Sequence, residues 1–149
     1  MLKDFFETKA LETGYLKYGS QRVNFSIGRF QMKPSFIESL EKKIKKSDIL
    51  RPKYGELIQY PSNDPENIRK ERVNRLQSTN MQWKYLVCFY ELLSQKFSNK
   101  KWDSRTQKLK FYSTAYNCGI GLKKQEIKSY AKVASHYYKF YKPLKTIEP

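Results

Sequence analysis

Apolar residues recur along this chain at three- and four-residue steps, the period of a helix that buries one face. The clearest run is Met81 to Phe97, where Tyr85, Leu86, Phe89, Leu92, Leu93 and Phe97 predict a central buried helix. A closing helix is predicted over residues 123–141 from Ile127, Tyr130, Ala131, Ala134, Tyr137, Tyr138 and Tyr141. At the start, Leu2, Phe5 and Phe6, then Lys9, Ala10 and Leu11, predict a short amphipathic helix over residues 2–12. It is expected to stop at Thr13-Gly14, because glycine readily takes the left-handed conformation that ends helices.

Polar residues mark the other helix starts. Ser35 and Glu38 form an S-x-x-E capping box after Pro34, ahead of Phe36, Ile37, Leu40 and Ile44. Lys42, Lys43, Lys45 and Lys46 fall on the opposite face of that helix. Asn63-Asp64-Pro65 predicts another start, with proline in the first turn. Ser104 with Gln107 makes a second box, before Leu109, Tyr112, Ala115 and Tyr116. Residues 15–34, with Gly19 and Gly28, predict a structured loop with at most short elements. Residues 47–65, with Pro52, Pro61, Pro65 and Gly55, predict a loop. No strand alternation and no repeat stands out, so the fold class expected is all-α, in a single domain spanning 1–149.

Composition adds a surface to this picture. The 149 residues carry 30 Lys+Arg against 14 Asp+Glu, a formal charge of +16, over an aromatic content too high for a disordered chain. Such a surface attracts nucleic acid, anionic lipid or a carboxylate-bearing polymer, and it also simply aids solubility. No apolar run approaches the ~20 residues of a membrane span. The single His136 cannot complete a zinc site with Cys88 and Cys118, so neither metal nor cofactor is expected. Cys88, in an apolar helical stretch, reads as a small buried side chain, and whether it pairs with Cys118 stays open.

Three segments look unlike ordinary core or loop. They are Glu12-Thr13-Gly14-Tyr15, then Ser26-Ile27-Gly28-Arg29-Phe30-Gln31-Met32-Lys33-Pro34-Ser35, then Ala115-Tyr116-Asn117-Cys118-Gly119. In this order they resemble the soluble lytic transglycosylase and goose-type lysozyme superfamily, which shares an E-S/T-G-aromatic segment, a G-x-x-Q-x-x-P-S/T segment and an A-Y-N-x-G segment. Tyr130-Ala131 with Tyr137, Tyr138 and Tyr141 is similar to that family's closing helix. The resemblance covers nearly the whole chain from Glu12 onward. It implies a lysozyme-like helical domain with a glycan-binding groove.

The resemblance implies a peptidoglycan lytic transglycosylase that cleaves the MurNAc-GlcNAc bond with Glu12 as its one acid/base. A glutamic acid in an apolar pocket keeps its proton near neutral pH, as a general acid must, and Glu12 stands between Leu11 and Tyr15. No second carboxylate lies in the three motifs, whereas two-carboxylate glycosidases need one across the bond. That absence matches a mechanism using the substrate's own N-acetyl group and ending in a 1,6-anhydro sugar; a lysozyme-type hydrolase is the second choice. By the same resemblance Tyr116 orients Glu12, and Asn117 and Gln31 contact glycan or hold the groove. Ser26 to Gly28 line the sugar site, with Gly28 allowing close backbone approach. Arg29 meets a stem-peptide carboxylate or is solvated. Read without the resemblance, Glu12 is a solvated helix-end carboxylate, Tyr116, Tyr130, Tyr137 and Tyr141 are core, Asn117 is a helix cap and His136 is structural or exposed.

Two rivals remain: a glycan-binding module of the same fold that does not cleave, and a basic nucleic-acid-binding protein. The basic residues are scattered and form no known nucleic-acid motif, so peptidoglycan glycan strands are the expected partner and nucleic acid is not. Met1 leads directly into Leu2-Lys3-Asp4 without an export signal, which taken literally implies a cytoplasmic protein. With an export signal upstream the location is periplasmic or cell-wall associated. Family members carry more chain ahead of this glutamate, so the domain is expected to lack N-terminal residues. Oligomeric state is not legible.

Overall fold

The computed structural model describes residues 2–118. Among the described residues the regular structure is helical: α1 (Leu2–Tyr18), α2 (Pro34–Lys46), α3 (Leu50–Tyr54), a 3-10 turn (Gly55–Ile58), α4 (Pro65–Gln77), α5 (Thr79–Lys96) and α6 (Arg105–Cys118). Strand-like pairing among them is limited to one antiparallel bridge between Ile27 and Met32. The expected all-α class therefore holds. No helix among the described residues is long and apolar enough to cross a membrane. The closing helix expected at residues 123–141, with His136 and its tyrosine stripe, lies outside the described residues.

The chain divides into two compact units, Met1–Tyr85 and Leu86–Pro149, with α5 contributing to both. In the first unit, α2 turns Ile37, Leu40 and Ile44 inward, where they are fully buried with Leu50, Leu57 and Leu76. In the second, the described core is aromatic. Tyr90 meets Tyr112 edge-on at 5.1 Å, and Phe97 meets Phe111 at 4.9 Å. Trp102 packs edge-on against both Phe111 and Tyr112. Such edge-to-face pairs place the positive rim of one ring on the negative face of another.

Several helix boundaries differ from those read in the sequence. α1 does not stop at Thr13-Gly14 but runs on to Tyr18. The chain leaves the helix at Gly19, whose φ of 75° supplies the left-handed turn while its N–H donates to the Tyr15 carbonyl at 2.8 Å. Gly14 has another use: a Cβ there would sit 3.0 Å from Val23 Cγ2, so the missing side chain lets the returning strand of loop lie close.

The Ser35/Glu38 box does not form. Lys33 caps α2 without a side-chain bond, Pro34 takes the first turn, and the Ser35 N–H is satisfied by Asn24 Oδ1 instead. Glu38 is drawn inward by stronger partners. The stretch expected as one loop at 47–65 contains α3 and the 3-10 turn. There Ser47 accepts from the Leu50 N–H through its hydroxyl, and its carbonyl accepts from the Arg51 N–H.

One sequence reading holds as made and a second holds by half. Asp64 caps α4, accepting from the Asn67 N–H at 2.9 Å, with Pro65 next. Ser104 accepts from the Gln107 N–H at 3.1 Å, although Gln107 reaches back to the Asp103 N–H rather than to Ser104.

A polar cluster is buried in the first unit. Arg72 on α4 meets Glu41 with two bonds, Nε to Oε1 at 3.1 Å and Nη2 to Oε2 at 2.8 Å. Its Nη1 donates to the Tyr15 hydroxyl at 2.7 Å and to Glu38 Oε1 at 3.2 Å. Tyr15 in turn donates to Glu38, Ser20 donates to the other Glu38 oxygen, and Tyr60 makes a short hydrogen bond to Glu41. Burial pulls the Arg72 pKa down, but the bonds and charge of Glu41 outweigh it and leave it raised. Burial raises the phenols of Tyr15 and Tyr60 above the ordinary value. The cluster is a fork-on-fork ion pair whose remaining lone pairs are filled by hydroxyls, the arrangement that makes burial of charge tolerable.

Candidate functional site

Glu12 lies in the wall of a groove between α1 and α4, in the interior of α1 and not at its end. On α1, Thr8, Lys9, Glu12 and Leu16 share one face at helical spacing; on α4, Lys70, Val73, Asn74 and Gln77 do the same. Together they line a cavity of about 440 Å³. α4 is pinned along α1 at both its ends. Arg69 Nε donates to the Leu16 carbonyl, and Gln77 Nε2 donates to Glu12 Oε1 at 2.8 Å. The second Glu12 oxygen has no hydrogen-bond partner among the described residues.

The surroundings of Glu12 are less apolar than expected. Its neighbour Tyr15 is fully buried, but Leu11 is 42% exposed, and Glu12 itself is half-buried. The groove has a floor of Leu16 and Val73, with two ammonium groups, two carboxamides and a hydroxyl around one carboxylate. Among the described residues the acid is therefore not enclosed by apolar side chains.

The second motif folds as a tight turn clipped to α5. Ile27 and Met32 exchange backbone bonds at 2.9 and 3.1 Å, and Gly28 and Gln31 both take positive φ, 70° and 52°. Gln31 Nε2 bonds back to the Gly28 carbonyl at 2.8 Å. Gln82 holds the turn from outside: its Oε1 accepts from the Phe30 N–H at 2.8 Å, and its Nε2 donates to the carbonyls of Ile27 and Leu76. A Cβ on Gly28 would fall 1.5 Å from Gln82 Nε2 and 2.6 Å from the Leu76 carbonyl oxygen. Gly28→Ala is thus expected to combine left-handed strain with loss of the Gln82 clip, costing on the order of 2–4 kcal/mol. A thermal melt of the variant measures it; an unchanged midpoint would mean the turn is not held this way.

The first two motifs converge on the last turn of α4. Gln77 takes Glu12, and the adjacent Leu76 carbonyl takes Gln82, which holds the Gly28 turn. Ser26, Gly28 and Gln31 are exposed, and so is Arg29, whose guanidinium lies 6.0 Å from the Phe30 ring. The third motif belongs to the second unit. Tyr116, buried in α6, packs edge-on to Phe89 at 5.6 Å, and burial raises its hydroxyl above the ordinary phenol value. Asn117 follows in the last turn of the same helix. Cys88 is a buried free thiol, pushed up to about 12 by burial and the nearby charge of Glu91.

Sequence reading missed three residues that shape this region: Gln77, Gln82 and Arg72. Gln77 follows Val73 by four positions on α4, a spacing that places it on the groove face. Gln82 left no such mark, because an amide that satisfies backbone groups distant in sequence has no local signature. Among the described residues no three His, Cys, Asp or Glu side chains cluster to hold a metal ion. Comparison with protein-family models, with curated proteins and with solved structures returns no match.

Proposed function

We propose that this chain is a peptidoglycan lytic transglycosylase of lysozyme-like fold, with Glu12 as its single acid/base. The observation that carries the reading is the composition of the α1–α4 groove. It has one carboxylate, held at Oε1 by Gln77 and with Oε2 unpartnered among the described residues, beside the carboxamides of Asn74 and Gln77. Amide groups suit the hydrogen bonding of N-acetylated sugars, and a lone carboxylate suits chemistry that does not need a second acid across the bond.

In this reading Glu12 gives its proton to the leaving glycosidic oxygen while the substrate's acetamido oxygen closes on the anomeric carbon. The resulting Glu12 carboxylate then takes the proton of the C6 hydroxyl, whose oxygen attacks the same carbon and displaces the acetamide. No water is consumed, and Glu12 ends protonated as it began. Closing of substrate over the groove supplies the water exclusion that the described residues do not. The wall or periplasm is the setting this polymer dictates.

A second reading rests on the half-exposed, lysine-flanked position of Glu12: a module of the same fold that binds glycan without cutting it. Incubation with purified peptidoglycan separates the two. Muropeptides with 1,6-anhydro ends support the transglycosylase, ordinary reducing ends indicate hydrolysis, and binding without release indicates the module.

A further inference from the structure

The face of α2 turned to solvent is cationic, and the fold makes it so. The two acidic residues of the helix, Glu38 and Glu41, are both directed to buried Arg72. The exposed side keeps Lys42, Lys43, Lys45 and Lys46, none of which is paired with an acidic side chain among the described residues. At about 100° per residue these four lysines span an arc of roughly 160°, opposite Ile37, Leu40, Glu41 and Ile44. Lysines near a helix C-terminus complement its dipole, but that effect reaches only the last turn and Lys42 stands before it.

Directly after this helix, Ile49 projects with 58% of its surface exposed. It is one of few large apolar side chains in the described residues left so open. The neighbouring Asp48 is offset by Arg51 at 3.0 Å, so it does not cancel the lysine field. Clustered lysines beside a protruding aliphatic side chain match a charged headgroup layer over an acyl layer. A phosphate backbone would use the charges but has nothing for Ile49 to enter. Nucleic-acid grooves place aromatic rings among their cations, and the one aromatic of α2, Phe36, is half-buried.

We infer that the outer face of α2, with Ile49, docks the protein on an anionic lipid surface. The lysines supply long-range attraction and Ile49 a short-range, salt-insensitive anchor.

Co-sedimentation with vesicles of equimolar phosphatidylglycerol and phosphatidylcholine tests this. Binding is expected to these and not to pure phosphatidylcholine. Lys43→Gln with Lys46→Gln should lower partitioning roughly 25-fold, about fivefold for each charge removed. Ile49→Ser should weaken vesicle binding several-fold, with the loss persisting at high salt, while leaving any binding to short duplex DNA unchanged. All three positions are exposed, and circular dichroism confirms that the variants stay folded. Equal binding to neutral vesicles, or no response to the double substitution, overturns the proposal. Retention of duplex DNA at a salt concentration that releases the vesicles, with Ile49→Ser silent in both assays, assigns the face to a polyphosphate instead.

Discussion

Replacing Arg72 by Ala is expected to destabilise the first unit by about 3–5 kcal/mol, because it strands a buried carboxylate. Glu41 is 4% exposed and meets the guanidinium through both oxygens; without it, only the Tyr60 hydroxyl remains as a described partner. Tyr15 and Glu38 lose a donor in the same step. Denaturant titration of the variant against the parent measures the loss. Substituting Glu41→Leu and Glu38→Gln together with Arg72→Met should recover most of the loss, since the cost lies in breaking the pair and not in lacking it. A single Arg72→Ala variant within about 1 kcal/mol of the parent would mean that solvent reaches Glu41.

The second large effect concerns activity. On the proposed mechanism, Glu12→Gln lowers release of anhydro-muropeptides by roughly 10²- to 10⁴-fold, the range for loss of a positioned general acid. The substitution is nearly isosteric and its site is half-buried, so stability should hold and binding to insoluble peptidoglycan should persist. The discriminating result is a variant that binds but does not cut. Undiminished turnover would show that another group carries the proton.

Much of the helical frame was legible, for reasons that particular elements make clear. The stripe from Tyr85 to Leu93 lies on α5, with Phe97 just past its end, because side chains three and four apart share a face whatever surrounds them. Asp64-Pro65 caps α4 because both the side-chain acceptor and the fixed φ act locally. The failures share the opposite cause. Ser35 and Glu38 have the spacing of a capping box, yet a buried guanidinium 34 positions away along the chain binds Glu38 instead. Gly14 has the composition of a helix stop, yet the contact that explains it is with Val23. One long-range feature left a signal in the sequence that was not used. Glu41 falls among Ile37, Leu40 and Ile44 on the inward arc of α2, and a carboxylate placed there demands a cation.

The candidate site divides in the same way. Glu12, Gly28 and Gln31 were singled out by motif order, and Gln77 and Gln82, which bond to Glu12 and to the Gly28 turn, were not. Tyr116 and Asn117 belong to the second unit, so the proposed pairing of Tyr116 with Glu12 rests on the motif order alone. The apolar setting expected for Glu12 from Leu11 and Tyr15 was misjudged because Leu11, one position away on the helix, points to solvent.

Gly28 illustrates a consequence for how this chain would change under drift. Its lack of a side chain is demanded by Gln82 and by the Leu76 carbonyl, and that demand does not involve the acid. On the proposed function, a lineage that ceased to cut glycan would still be held to Gly28 by the cost of disrupting the turn, while position 12 would be released. Signature and proposed activity would then be under separate selection, and a decayed copy would be recognised by an intact Gly28 beside a substituted glutamate.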